Sequence, residues 1–86
     1  MNVRIPTPLR SYTHDVATVA ASGTTVAEVI ADLDGQFPGL GFRVVDEQGR
    51  LRPHMRIFVN EEVVRDLSFA VRDADELTLM QALSGG

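Results

Sequence analysis

Residues 25 to 37 carry the one sustained helical pattern in this sequence. Val26, Val29, Ile30, Leu33 and Phe37 fall at i, i+3, i+4, i+7 and i+11, a single apolar stripe along an α-helix. Thr25 followed three residues later by Glu28 has the form of a capping box, in which each side chain satisfies a free backbone N–H at the helix start. Pro38 and Gly39 end the helix, because the residue before a proline avoids the helical region and glycine tolerates a reversal. Gly35 weakens the last turn. One helix with one stripe covers one face of one sheet, so the pattern restricts the chain to a two-layer α+β arrangement.

The flanking segments supply the strands. In "NVRIPTPL", residues 2 to 9, Val3 and Ile5 alternate with Asn2 and Arg4, and Pro6 and Pro8 then interrupt the ladder. "SYTHD" reads as a turn and "VATVAA", residues 16 to 21, as an antiparallel partner. After the helix, "FRVVD" at 42 to 46 reads as a short strand and "EQG" as a turn. "MRIFVN" at 55 to 60 alternates, with Ile57 and Val59 on one face and Arg56 and Phe58 on the other. "NEE" turns the chain into the extended "VVRDL", and "RDADE" is an acidic turn before the final strand "LTLM" at 77 to 80. Only the helical segment is long enough for a crossover, so the first and last strands pair in parallel and the last lies inside the sheet. This predicts a mixed sheet of four or five strands in a single domain over residues 1–80, followed by a flexible tail over 81–86.

Composition narrows the function classes. A chain of 86 residues with 44% apolar and 23% charged residues can hold one small core. It has no cysteine, which rules out a disulfide framework, a zinc–thiolate site or a thiol nucleophile and fits a reducing cytoplasm. All eight basic residues are arginine and the net charge is −4, which disfavours a nucleic-acid partner. No run approaches the roughly 20 apolar residues that span a bilayer, and the start "MNVRIPTPLR" does not resemble a secretory signal.

The side chains offer little chemistry. His14 and His54 fall in separate loops without spaced ligands, so no metal site is expected. Glu61 with Glu62, and Asp73, Asp75 and Glu76, fall in turns where carboxylates are normally solvated. Ser84 has no histidine near it to activate it. What remains is the ending "QALSGG". Gly85 and Gly86 have no Cβ, so a main chain this thin can enter a narrow channel and present its terminal carboxylate there. Six extended residues reach roughly 20 Å. A carboxylate is a poor electrophile, and transfer from it requires prior activation, most simply as an acyl-adenylate formed from ATP.

The chain resembles the β-grasp sulfur carriers, the ThiS/MoaD family related to ubiquitin. The likeness covers "VRIPTPLR", "GTTVAEVIADL" with "FPGL", "IFVNEEVVRDL", "RDADELTLM" and the terminal "GG". It implies a ubiquitin-like fold and a protein co-substrate rather than an enzyme. An E1-like adenylyltransferase and sulfurtransferase would use ATP to adenylate Gly86, preceded by Gly85, and sulfur would replace AMP to give a thiocarboxylate. No cofactor would be bound by the carrier itself. The "IPTPLR" opening and the long middle segment are most similar to the branch that feeds a cysteine synthase; "MQALSGG" departs from the proline and "VAGG" usual in that branch and in the molybdopterin branch. The resemblance implies an acceptor that makes cysteine or another sulfur-containing metabolite, a cysteine-synthase-like enzyme or the molybdopterin synthase large subunit. The alternatives are a small subunit of molybdopterin synthase acting with its large subunit, a ubiquitin-like modifier, and a non-catalytic interaction module. In each, Phe58 and Met80 on the outward sheet face, with Gln81, Ala82, Leu83 and Ser84 of the tail, would meet the partner.

Overall fold

A computed structural model describes residues 1–82 of the chain. Five strands, β1 (Asn2–Arg4), β2 (Thr18–Ala20), β3 (Met55–Val59), β4 (Glu62–Val64) and β5 (Glu76–Gln81), form one sheet in the order β2-β1-β5-β3-β4. β5 lies in the middle, parallel to β1 and antiparallel to β3. Its sequence explains the position: Leu77 and Leu79 point into the core and are almost wholly buried, while Glu76, Thr78 and Met80 alternate outward. The expected parallel pairing of the first and last strands is present.

The helix α1 (Val26–Gln36) covers the inner face, and Val26, Val29, Ile30 and Leu33 join Val3, Ile57, Leu77 and Leu79 in one buried cluster. Its start is secured three ways. The Thr25 hydroxyl accepts the Glu28 N–H at 3.2 Å, whereas the returning Glu28 carboxylate bonds the N–H and hydroxyl of Thr24 rather than the N–H of Thr25. The next free donors, the N–H groups of Val26 and Ala27, go to the carbonyls of Phe69 and Leu67. The segment after β4 thus wraps the helix start instead of extending the sheet, which fills donors that a helix alone leaves open.

Two segments differ from expectation. Residues 42 to 46 do not form a strand: the chain is helical from Leu40 to Val44 (α2). Leu40 and Val44, one turn apart, are both fully buried, and the Asp34 carboxylate accepts the N–H groups of Gly39 and Gly41 at 3.1 and 3.0 Å. Gly39 adopts φ +96, which lets the chain turn directly from α1 into α2. A strand here would forfeit both the burial and the cap. Residues Thr7–Thr13, expected as broken strand and turn, form a 3-10 helix opened by Pro6 and Pro8. Its buried Thr13 hydroxyl lies 2.8 Å from the Val16 carbonyl oxygen, to which it donates.

Two glycines should respond oppositely to alanine. A Cβ on Gly23 would stand 2.7 Å from the Val29 nitrogen and 2.9 Å from the Glu28 carbonyl carbon, both backbone atoms. Gly23→Ala should cost about 1–3 kcal/mol as the helix start is displaced. Gly35 has nothing within 4 Å of such a Cβ, so Gly35→Ala should stabilise the protein by about 0.5–1 kcal/mol. Urea unfolding of the two variants checks both signs.

The helix cap is also a pH device. Glu28 is held below its ordinary 4.5 by the Thr24 N–H and then by the Thr24 hydroxyl. The folded value lies below the unfolded one, so this contribution is complete above pH 4.5 and is lost as pH falls through the lowered value. Glu28→Gln should therefore flatten the fall of Tm with acid below pH 4.5, as thermal melts across that range would record.

Candidate functional site

The candidate site is the end of β5 and the sheet face beside it. Backbone pairing carries β5 one residue past Met80, with Gln81 opposite Met55, and the Ala82 N–H then donates to the His54 carbonyl at 2.7 Å. β5 is bonded to both β1 and β3 as far as Thr78 and to β3 alone from Leu79 on, so the direction in which the chain leaves is set by the β3 ladder. Leu83, Ser84, Gly85 and Gly86 lie outside the described residues.

On the outward face one row of side chains crosses all five strands. Val63 stands opposite Phe58, Phe58 opposite Thr78, Thr78 opposite Arg4, and Arg4 opposite Thr18. Met80 stands opposite Arg56 in the next row, so Met80 and Phe58 are diagonal neighbours within side-chain reach. Met80 is 48% exposed and Val63 50%, while Phe58 is half-buried between them and their strands. The face is therefore apolar around Phe58, Val63 and Met80 and basic at Arg4 on β1 and Arg56 on β3. Val63 escaped the sequence reading; the register of the hairpin, with Val59 opposite Glu62, is the signal that would have found it.

A groove of about 490 Å³ opens where β1 and the 3-10 helix meet the end of β5, and its walls include Arg4, Pro6, Arg10, Thr78, Met80 and Gln81. A second groove, about 360 Å³, lies in the helical layer among Ile30, Ala31, Phe42 and Val45. Phe42 is half-exposed there, and the Arg52 guanidinium lies 4.5 Å from its ring centre.

The other polar residues take structural places. His14 and His54 are exposed and belong to different loops. Among the described residues no three His, Asp or Glu side chains gather closely enough to hold a metal ion. Asp75 closes the acidic turn: the Asn60 side-chain amide first, then the Arg72 N–H and the Arg72 charge, hold its carboxyl below the usual 3.8. Such a group stays ionised at neutral pH and is a poor general acid. Asn60 completes the joint by accepting the Glu76 N–H at 3.0 Å, which fixes the β3–β4 hairpin to the start of β5. No helix among the described residues is long and apolar enough to cross a membrane.

Comparison with known proteins places this architecture. The chain is similar to the sulfur carrier protein CysO of Mycobacterium tuberculosis, 38% identical over 91 residues that span all of this chain and 98% of the relative. The crystal structure of that CysO superposes with a TM-score of 0.89 over 95% of this chain and 98% of the other. A structure of the BexX/CysO complex of Amycolatopsis orientalis matches with a TM-score of 0.91 at 39% identity, over 99% and 98% of the two chains. SAMP1 of Haloferax volcanii matches with a TM-score of 0.79 at 30% identity, covering 100% of this chain and 98% of that one. The likeness in sequence and in three dimensions thus takes in the whole sheet, its helix and the outgoing central strand. The model of the ThiS family matches residues 3–86, and the chain belongs to the ThiS family.

Proposed function

We propose that this homologue of CysO is a sulfur carrier whose reacting group is the carboxylate of Gly86. An oxygen of that carboxylate attacks the α-phosphorus of ATP on an E1-like enzyme, and pyrophosphate departs. Hydrosulfide then attacks the acyl carbon and AMP leaves, so the C–O bond to phosphate is exchanged for a C–S bond. The resulting thiocarboxylate donates its sulfur to an acceptor enzyme, for which the CysO relatives favour a cysteine-synthase-like protein. The carrier works in the cytoplasm as a co-substrate, and ATP is bound by the activator, not by the carrier.

The observation that carries this reading is the hold on Ala82 at the end of the central strand. A rigid sheet aims the chain to that residue, and four further residues extend at most about 14 Å beyond it, enough to enter a partner's channel. Gly85 and Gly86 keep the entering chain free of side chains. Met80, Phe58 and Val63, with Gln81 through Ser84, form the surface that the partner covers; a CysO relative has been solved in complex with BexX. Pyrophosphate exchange tests the first step: with the activating enzyme of the same organism, label should pass from pyrophosphate to ATP only when the carrier is added. Exchange that is absent with an enzyme active on another carrier would refute it.

SAMP1 of Haloferax volcanii, named small archaeal modifier protein 1, favours a second reading as a protein modifier. That reading predicts isopeptide links from Gly86 to lysines of other proteins. The carrier has no lysine of its own to receive one.

A further inference from the structure

The chain carries a net charge of −4, yet among the described residues the only charged side chains lining the groove at the root of the tail are Arg4 and Arg10. We infer that this groove is a docking site for carboxylate side chains that the tail's receiving protein presents around its channel. The inference rests on the proposed carrier role for the partner, and on the geometry alone for the chemistry recognised.

Location is the first argument. Thr78, Met80 and Gln81 form one wall, so a protein that takes in the tail must also lie over the groove. Charge is the second. The acidic residues Glu61, Glu62, Asp73, Asp75 and Glu76 gather at the β3–β4 hairpin and the start of β5. Arg4 stands opposite Thr78 and diagonal to Glu76, so the basic groove borders the acidic end at β1, and the contrast between the two gives the molecule a direction in a partner's field.

The third argument is the state of the guanidinium groups. The Arg10 Nε–H donates to the Ile5 carbonyl at 3.1 Å, which fixes the side chain before any partner arrives and leaves its terminal NH2 groups to meet a carboxylate. Arg56, on β3 opposite Met80, already donates through Nη1 to the carbonyls of Pro53 and Met55. It adds positive field there, while Arg4 and Arg10 supply the contacts. Pro6, Pro8 and Met80 supply apolar wall beside Thr7, Thr18, Thr78 and Gln81, so the fitting segment carries apolar side chains among its acidic ones.

A short capped peptide of alternating glutamate and leucine, titrated into the isotope-labelled native protein, tests this directly. At low ionic strength the amides of Arg4, Thr7, Arg10, Thr18, Thr78 and Gln81 should shift. The effect should vanish near 1 M salt, where the screening length is about 3 Å. The glutamine counterpart of the peptide, or an Arg4→Gln/Arg10→Gln protein with an otherwise native amide spectrum, should bind at least about tenfold more weakly, the scale of one charged hydrogen bond. No shifts, shifts of equal size around Arg43, Arg50 and Arg72, or undiminished binding by the double variant would overturn the proposal. In the activation reaction the same variant should raise KM and leave kcat unchanged. If no activation occurs even with native protein, the carrier role fails while the peptide result still decides the groove.

Discussion

Appending a single alanine after Gly86 is expected to abolish thiocarboxylation, with a loss of at least about a hundredfold in kcat/KM. The extra residue moves the carboxylate about 3.5 Å along the chain and puts a Cβ where the account requires none. Folding should be untouched, because the last backbone bond of the described chain is made by Ala82. Thermal melts of native and extended protein should therefore coincide while their mass spectra after activation differ. An interaction module would behave in the opposite way and keep its binding with the extra residue.

The second large effect concerns the strand that aims the tail. Leu79 is 2% exposed, faces Ile57 across the β3–β5 ladder and belongs to the core cluster. Leu79→Ala should cost about 2–5 kcal/mol, a large part of the few to roughly 13 kcal/mol that a domain of this size commands. At about 4–8 °C per kcal/mol, Tm should fall by at least about 8 °C. Met80→Ala, one residue on but pointing outward, should change stability by no more than about 0.5 kcal/mol. If Met80 is covered by the partner, its loss should appear in KM for activation or acceptance instead. The two adjacent substitutions thus separate what holds the strand from what the partner touches.

Much of this architecture is legible in the residues. The stripe from Val26 to Leu33 gives α1 because a helical period persists over three turns, and Leu77 and Leu79 give the inward face of β5 by simple alternation. The parallel β1–β5 pairing follows because only one segment is long enough for the crossover. The α2 turn is not legible: Leu40 and Val44 supply one i, i+4 pair, too short for periodicity, and the "FRVV" run favours a strand locally. Tertiary contacts override that preference through the Asp34 carboxylate and the burial of both ends. The capping box was half right for a similar reason, since Glu28 reaches Thr24 and not Thr25.

The site divides in the same way. Phe58 and Met80 were expected on the outward face, and alternation puts them there. Val63 beside Phe58 depends on the register of a hairpin, and Arg4 with Arg10 beside the end of β5 on contacts between segments about seventy residues apart in sequence. A linear pattern carries no such information, and only the assembled sheet brings these groups together.

The most direct measurement is the intact mass of the protein after incubation with ATP, its E1-like activator and a sulfide source. The account predicts a gain equal to the difference between one sulfur and one oxygen atom, located at Gly86 by fragmentation. No such gain with an activator proven competent on another carrier, or a gain that persists after Gly86 is deleted, would contradict it.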